Sequence, residues 1–139
     1  MAIQKVGVVG CGLMGSGIAQ VSAAAGFATR VREVSPNALD QGLGSIRRFM
    51  QAGVDKGKLA AAEMEATLGN VHGTLELRDL ADCDLVIEAV TENVALKREI
   101  LATLDAACPA ATILASNTSS LSITEMSTFV RRCERMSWR

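Results

Sequence analysis

Gly10-Cys11-Gly12-Leu13-Met14-Gly15 constrains this chain more than any other segment. It ends the apolar run Val6-Gly7-Val8-Val9 and opens the helical stretch Ser16-Gly17-Ile18-Ala19-Gln20. A buried strand, a glycine turn and a helix start, in that order, lay a dinucleotide's pyrophosphate against main-chain N–H groups that lack partners within the helix. Gly10 permits the turn, Gly12 leaves room for a phosphate and Gly15 lets the helix lie close on the strand. With Cys11, Leu13 and Met14 between them, these six residues are the expected pyrophosphate loop.

A second strand, Ala28 to Glu33, ends in an acid 18 positions after Gly15, near the ~20-residue spacing of dinucleotide folds. Glu33 can accept hydrogen bonds from both ribose hydroxyls of an adenosine, and its charge repels a 2′-phosphate, so NAD is the expected cofactor rather than NADP. Arg32, which could accommodate the extra phosphate, is expected on the opposite face of the strand. Cys11 lies near a helix N-terminus, where a thiolate is favoured, so it could be reactive, but a small residue between two motif glycines is explanation enough.

The 139 residues suit one domain, and 49% hydrophobic content supplies an interior that buries roughly two-thirds of the unfolded surface. A formal net charge of −1 makes no field that gathers nucleic acid or an anionic membrane, so neither is an expected partner and a small ligand is. No apolar run approaches the ~20 residues of a membrane span, and the start of the chain shows no signal-peptide pattern, which places the protein in the cytoplasm as an expectation. Cys11, Cys83, Cys108 and Cys133 are scattered, and His72 is the single histidine. No metal site and no disulfide framework is read from that spacing.

Along the chain, a first helix from Met14 to Ala25 stops at Gly26, a left-handed cap. Ser35-Pro36 supplies an N-cap and a proline in the first turn of a helix whose Leu39, Leu43, Ile46 and Met50 form one apolar stripe, with Arg47 and Arg48 on the other face. A shorter helix spans Ala60 to Leu68. This pair forms a helical excursion between the second and third strands, and a projecting arm that touches a substrate tail is one reading of it, extra packing the other. Val71 to Thr74 and the nearly all-apolar Leu85 to Ala89 are further strands, followed by a helix from Asn93 to Ala107 that buries Ile100, Leu101 and Leu104. Thr112 to Ala115 is the fifth strand. Ser116-Asn117-Thr118-Ser119-Ser120 then forms a polar loop where open α/β sheets place ligands. Ser122-Ile123-Thr124-Glu125 is a capping box. The expected fold class is α/β, a Rossmann-type doubly wound and mostly parallel sheet.

Together these motifs resemble the N-terminal domain of the 3-hydroxyacyl-CoA dehydrogenases, including the bacterial 3-hydroxybutyryl-CoA enzymes. The similarity runs from Lys5 to about Glu125 and is carried by residues 10–20, by Ile87-Glu88-Ala89-Val90-Thr91-Glu92-Asn93 and by Ala115-Ser116-Asn117-Thr118-Ser119-Ser120-Leu121. It implies that Glu33 holds the adenosine ribose, that Glu92 and Lys97 contact the nicotinamide half of NAD, and that Ser119 hydrogen-bonds near the reacting 3-oxygen while meeting cofactor and substrate. Asn117 shapes the same loop, and Lys56 falls where the family sets a lysine against the CoA phosphates. The residues alone leave open that Glu92 is a first-turn acid, Lys97 and Lys56 are solvated charges, and the polar loop is a turn.

The resemblance also implies oxidation of (3S)-3-hydroxyacyl-CoA to 3-oxoacyl-CoA in fatty acid metabolism, with a general-base histidine in a His-Phe-Phe-Asn-Pro segment after an Arg-Pro-Glu-Arg stretch. Here Arg132-Cys133-Glu134-Arg135 is similar to that stretch with cysteine for proline, and Met136-Ser137-Trp138-Arg139 follows without strand alternation. The expectation is one NAD-binding domain over 1–139 with an atypical tail at 127–139, the histidine and the helical C-terminal domain lying outside the chain through frameshift, truncation or a split gene. His72 is not expected to replace the base. Loss of such a base costs on the order of 10²–10⁴-fold in rate, so the chain alone is expected to bind NAD(H) and to turn over acyl-CoA negligibly. A homo-oligomer or a separately encoded C-terminal domain are the expected partners beside the acyl-CoA. Two alternatives stand: a nucleotide-holding or assembly module without chemistry, and an NAD-dependent β-hydroxyacid dehydrogenase acting without CoA.

Overall fold

The computed structural model describes residues 2–118 and 121–132 in full and the backbone of 136–138. Ser119, Ser120 and the 133–135 part of the Arg132 stretch lie outside the described residues. Strands β1 (Lys5–Val9), β2 (Ala28–Arg32), β3 (Val71–Thr74), β4 (Leu85–Glu88), β5 (Ile113–Ser116) and β6 (Met136–Trp138) form one sheet in the order β3-β2-β1-β4-β5-β6. Every adjacent pair runs parallel. The sequential path leaves β1 toward β2 and β3 on one side, then crosses to β4 and beyond on the other. The crevice between β1 and β4 is therefore the switch point of a doubly wound sheet, where such folds take ligands.

Helix α1 (Leu13–Ala24) follows β1, α2 (Pro36–Asp55) and α3 (Ala61–Gly69) join β2 to β3, α4 (Val94–Ala107) joins β4 to β5, and α5 (Ile123–Ser127) follows β5. Local chemistry explains the boundaries. Ser35 caps α2 by accepting the Ala38 N–H at 3.2 Å, ahead of Pro36, and Asn93 caps α4 by accepting the Leu96 N–H at 3.1 Å. Ser122 accepts the Glu125 N–H at 3.3 Å. Such caps satisfy donors that the first helical turn leaves unpaired. Gly26, at φ +96°, turns the chain out of α1 after its cap at Ala25.

Two apolar clusters flank the sheet. One gathers Val6, Val8, Val31, Ala19, Ile46, Met50 and Met64 under α1, α2 and α3, with Leu39 and Leu43 packed against it. The stripe read on α2 is thus the face that is buried, while Arg47 and Arg48 are exposed. The other cluster gathers Val9, Leu80, Val86, Ile100, Leu101, Leu104, Leu114 and Met126 beneath α4 and α5. Removing Leu101 or Leu104, both fully buried, to alanine would cost about 2–5 kcal/mol.

The sixth strand corrects the reading of the tail. Residues 136–138 lack alternation, yet their backbone pairs with β5 in the register Leu114↔Met136 to Ser116↔Trp138. The free edge of β5 offers main-chain donors and acceptors that any sequence can use. Arg132 prepares that return. Its guanidinium bonds to Asp105 Oδ1 at 2.5 Å and to the carbonyls of Asp105, Cys108, Pro109 and Thr112, gathering acceptors of the last turn of α4 and of the loop that leads to β5.

Candidate functional site

The carboxyl ends of β1 and β2 bring the glycine loop and Glu33 together. Gly10 sits at φ +95°, a left-handed conformation that glycine adopts without strain. Its N–H bonds to the Arg32 carbonyl at 2.9 Å, which anchors the loop to the end of β2. A side chain at Gly15 would overlap the Gly10 carbonyl oxygen, whereas one at Gly12 would meet nothing within 4 Å. The three glycines therefore divide as their spacing predicts: turn, open space and close approach. Gly12 caps α1 without a side-chain hydrogen bond, and no acid lies in the first turn, so the helix start keeps its positive end for a ligand.

Glu33 stands directly over this loop. Its Oε1 accepts the Cys11 N–H at 2.7 Å and its Oε2 accepts the Val34 N–H at 3.1 Å, fixing the carboxylate while leaving further lone pairs open. Gly10, Gly12, Glu33, Val34, Ala89 and Thr91 line a cleft of about 240 Å³ at the switch point. Arg32 borders the same cleft instead of facing away, because β2 ends at Arg32 and strict alternation ends with it. Its Nε donates to the Leu75 carbonyl at 3.2 Å.

Cys11 does not fit the reading of a reactive thiol. The residue is 5% exposed, and burial together with the Glu33 charge pushes its pKa to about 11. The cause is a contact that the sequence pattern concealed. Helix α2 lays Gly42 over the loop so closely that a Cβ there would come within 2.6 Å of the Cys11 Cβ and carbonyl oxygen. The signal was a glycine on the apolar stripe of α2.

On the other side of the switch point, β4, α4 and β5 converge on a polar network. Thr118 Oγ1 donates to Glu92 Oε2 at 2.7 Å and accepts the Leu121 N–H at 3.2 Å. Lys97 is not a solvated charge. It is completely buried, and its Nζ bonds to both Glu88 carboxylate oxygens and to the Val90 carbonyl, with Glu92 Oε1 at 3.7 Å. Ser116 Oγ donates to Glu88 Oε2 at 2.9 Å, and the Asn117 N–H to the Glu88 carbonyl at 2.8 Å. Sequence reasoning missed Glu88, Ser116 and Thr118 as members of this group. The available signal was a lone acid in an otherwise apolar strand with a lysine on the buried face of the next helix.

The remaining candidates lie apart. His72 is exposed on β3, paired with Arg30 of β2, four strand spacings from β5 or about 19 Å. Lys56 caps the far end of α2 and is exposed. Since that helix has 20 residues, Lys56 stands about 30 Å from its start beside Glu33. Among the described residues, no helix is long and apolar enough to cross a membrane.

The open space at Gly12, the uncapped start of α1 and the Glu33 carboxylate suit the pyrophosphate and adenosine ribose of NAD. Comparisons with known proteins agree. A protein of Bacillus subtilis named a probable 3-hydroxybutyryl-CoA dehydrogenase is 42% identical over 136 residues, 98% of this chain and 47% of the relative. The crystal structure of (S)-3-hydroxybutyryl-CoA dehydrogenase from Ralstonia eutropha matches with a TM-score of 0.94 at 37% identity, over 97% of this chain and 48% of that one. That of 3-hydroxybutyryl-CoA dehydrogenase from Escherichia coli matches with a TM-score of 0.96 at 36% identity, over 99% and 29%. The chain thus spans about half the length, or less, of these relatives. Residues 5–138 match the profile described as 3-hydroxyacyl-CoA dehydrogenase, NAD binding domain, and with the glycine loop, Glu33 and the switch-point cleft in place, the chain belongs to that family of NAD-dependent dehydrogenase domains.

Proposed function

We propose that this chain is the cofactor-holding part of an enzyme of fatty acid metabolism that oxidises (3S)-3-hydroxyacyl-CoA to 3-oxoacyl-CoA. Bound NAD supplies the hydride acceptor for that oxidation. The observation that carries the reading is the meeting of the glycine loop with Glu33, whose carboxylate is already oriented by two backbone N–H groups. Glu33 accepts from the adenosine ribose, and the Gly12 backbone makes way for the pyrophosphate. Glu92, Asn117 and Ser119 serve the nicotinamide and substrate side, a reading supported by the family resemblance and, for Asn117, by the bond of its N–H to the Glu88 carbonyl. A substrate whose phosphates meet Lys56 would have to extend along α2. The 3-hydroxybutyryl-CoA named for the relatives supports a CoA thioester as substrate class.

Removing a hydroxyl proton needs a base within hydrogen-bond reach, and the one histidine of this sequence is four strands from β5. By itself the chain is therefore proposed to hold NAD(H) and to leave the chemistry to a partner domain. Leu13 and Met14, 91% and 56% exposed beside the cleft, suit such a partner or the cofactor itself. Calorimetric titration with NADH should show saturable binding, while NADH oxidation by acetoacetyl-CoA should stay at background. Absence of NADH binding to folded protein would remove the first half of the proposal, and turnover at the rate of an intact dehydrogenase the second.

A further inference from the structure

The two arginines of β2 are used differently. Arg30 is spent inside the protein, since its Nη1 meets Asp82 Oδ1 at 2.7 Å and also the Asp79 carbonyl. Arg32, at the last position of the strand, pairs with no carboxylate among the described residues. Its Nε holds the Leu75 carbonyl at 3.2 Å, which ties the side chain to the end of β3, and its two Nη atoms make no hydrogen bond among the described residues. A guanidinium carries five N–H donors in a planar fork that suits phosphate. Here the protein uses one of them, and the other four are left on a residue that lines the cleft beside Glu33.

An acid at the end of β2 excludes a 2′-phosphate only if it stands alone at the sugar. Glu33 does not. A phosphate on the ribose that Glu33 grips is repelled by one unit charge and attracted by its neighbour in the chain. Equal and opposite charges at similar distances cancel in Coulomb's law, whatever the dielectric. The Glu33 charge is moreover taken up in part by the Cys11 and Val34 N–H groups, whereas that of Arg32 meets only the Leu75 carbonyl. What is left at this corner of the cleft is a set of donors that an adenosine without the extra phosphate does not need.

We infer that Arg32 is a specificity-determining residue of the cofactor cleft, whose guanidinium receives a 2′-phosphate beside Glu33, so that the chain takes NADPH as well as NADH. The inference rests on the assignment of a nicotinamide dinucleotide to this cleft and widens it. It also separates Arg32 from two other roles. A brace between β2 and β3, or a platform against the adenine, would serve NADH and NADPH alike.

The test is calorimetric titration of the purified chain with NADH and with NADPH at one ionic strength, because salt screens exposed charges. The wild-type chain should bind NADPH no more than about tenfold more weakly than NADH. Arg32→Leu should weaken NADPH a further tenfold or so, the worth of a hydrogen bond to a charged group, and NADH by less than about threefold. Arg32→Gln keeps a donor for the Leu75 carbonyl but drops the charge, and it should shift the NADPH to NADH ratio in the same direction. It decides the matter if Arg32→Leu does not fold. A wild-type preference for NADH beyond about tenfold, or an unaltered ratio in the folded variants, would overturn the inference. A wild-type chain that binds neither nucleotide would instead bring down the dinucleotide assignment on which it stands.

Discussion

The two sides of the switch point are built by different physical means. On the β1–β2 side the cleft is made of main chain and vacant space: a turn at Gly10, open room at Gly12, and a carboxylate held by two amide N–H groups. On the β4–β5 side it rests on buried charge, with Lys97 and Glu88 sealed beneath loops that carry Glu92, Asn117 and Thr118. The first arrangement needs permissive backbone, one carboxylate and, at Cys11, a side chain small enough to fit beneath Gly42. The second needs each partner present, because a lone ion in the interior has nothing to replace water.

The sharpest way to break the first side is Gly15→Val. The new side chain would collide with the Gly10 carbonyl, and because that contact is backbone on both sides it cannot be relieved by a rotamer. Binding of NADH and ADP should fall together, by more than about a hundredfold, in calorimetric titration. The second side breaks in stability instead, through Lys97→Met, which strands a buried carboxylate. It should cost about 3–5 kcal/mol in urea unfolding, and most of that should return in the double variant with Glu88→Gln, since a neutral pair needs no counter-ion. A double variant no more stable than the single one would show that the two charges are not coupled.

A smaller change sharpens the comparison by touching neither side. Asp105, at the end of α4 away from the cleft, is opposed by its own burial, but the Arg131 N–H and the Arg132 guanidinium more than offset this and hold its pKa below the usual value. A carboxylate depressed in the folded state contributes stability above its unfolded pKa of about 4 and loses it as pH falls through the folded value. Asp105→Asn should therefore cost about 1.5–3 kcal/mol at pH 7, and its disadvantage should shrink toward pH 2. Affinity for both nucleotides at pH 7 should be unaltered. A pH-independent deficit in thermal melts would contradict this account.

How far each feature could be read in advance follows from the same contrast. The glycine loop and Glu33 were legible because their chemistry depends on short-range spacing, and so were the caps at Ser35 and Ser122 and the stripe on α2. The Glu88–Lys97 pair was not, although the family resemblance singled out the segment that holds Glu88 and named Lys97 as a cofactor contact. A charge in a strand identifies no partner until the sheet order brings α4 over it. Of the two readings of Cys11 the sequence could not show the deciding contact: the helix N-terminus argued for a thiolate, but Gly42, 31 positions later, closes the space above it. The strand at 136–138 escaped notice since an edge pairs through its backbone.

The contact between Gly42 and Cys11 also supplies a built-in clock. With its sulfur covered by α2 and its proton firmly held near neutral pH, Cys11 meets a maleimide reagent only when that helix lifts away. The rate of labelling thus counts those openings, and nucleotide seated on the loop should slow the count.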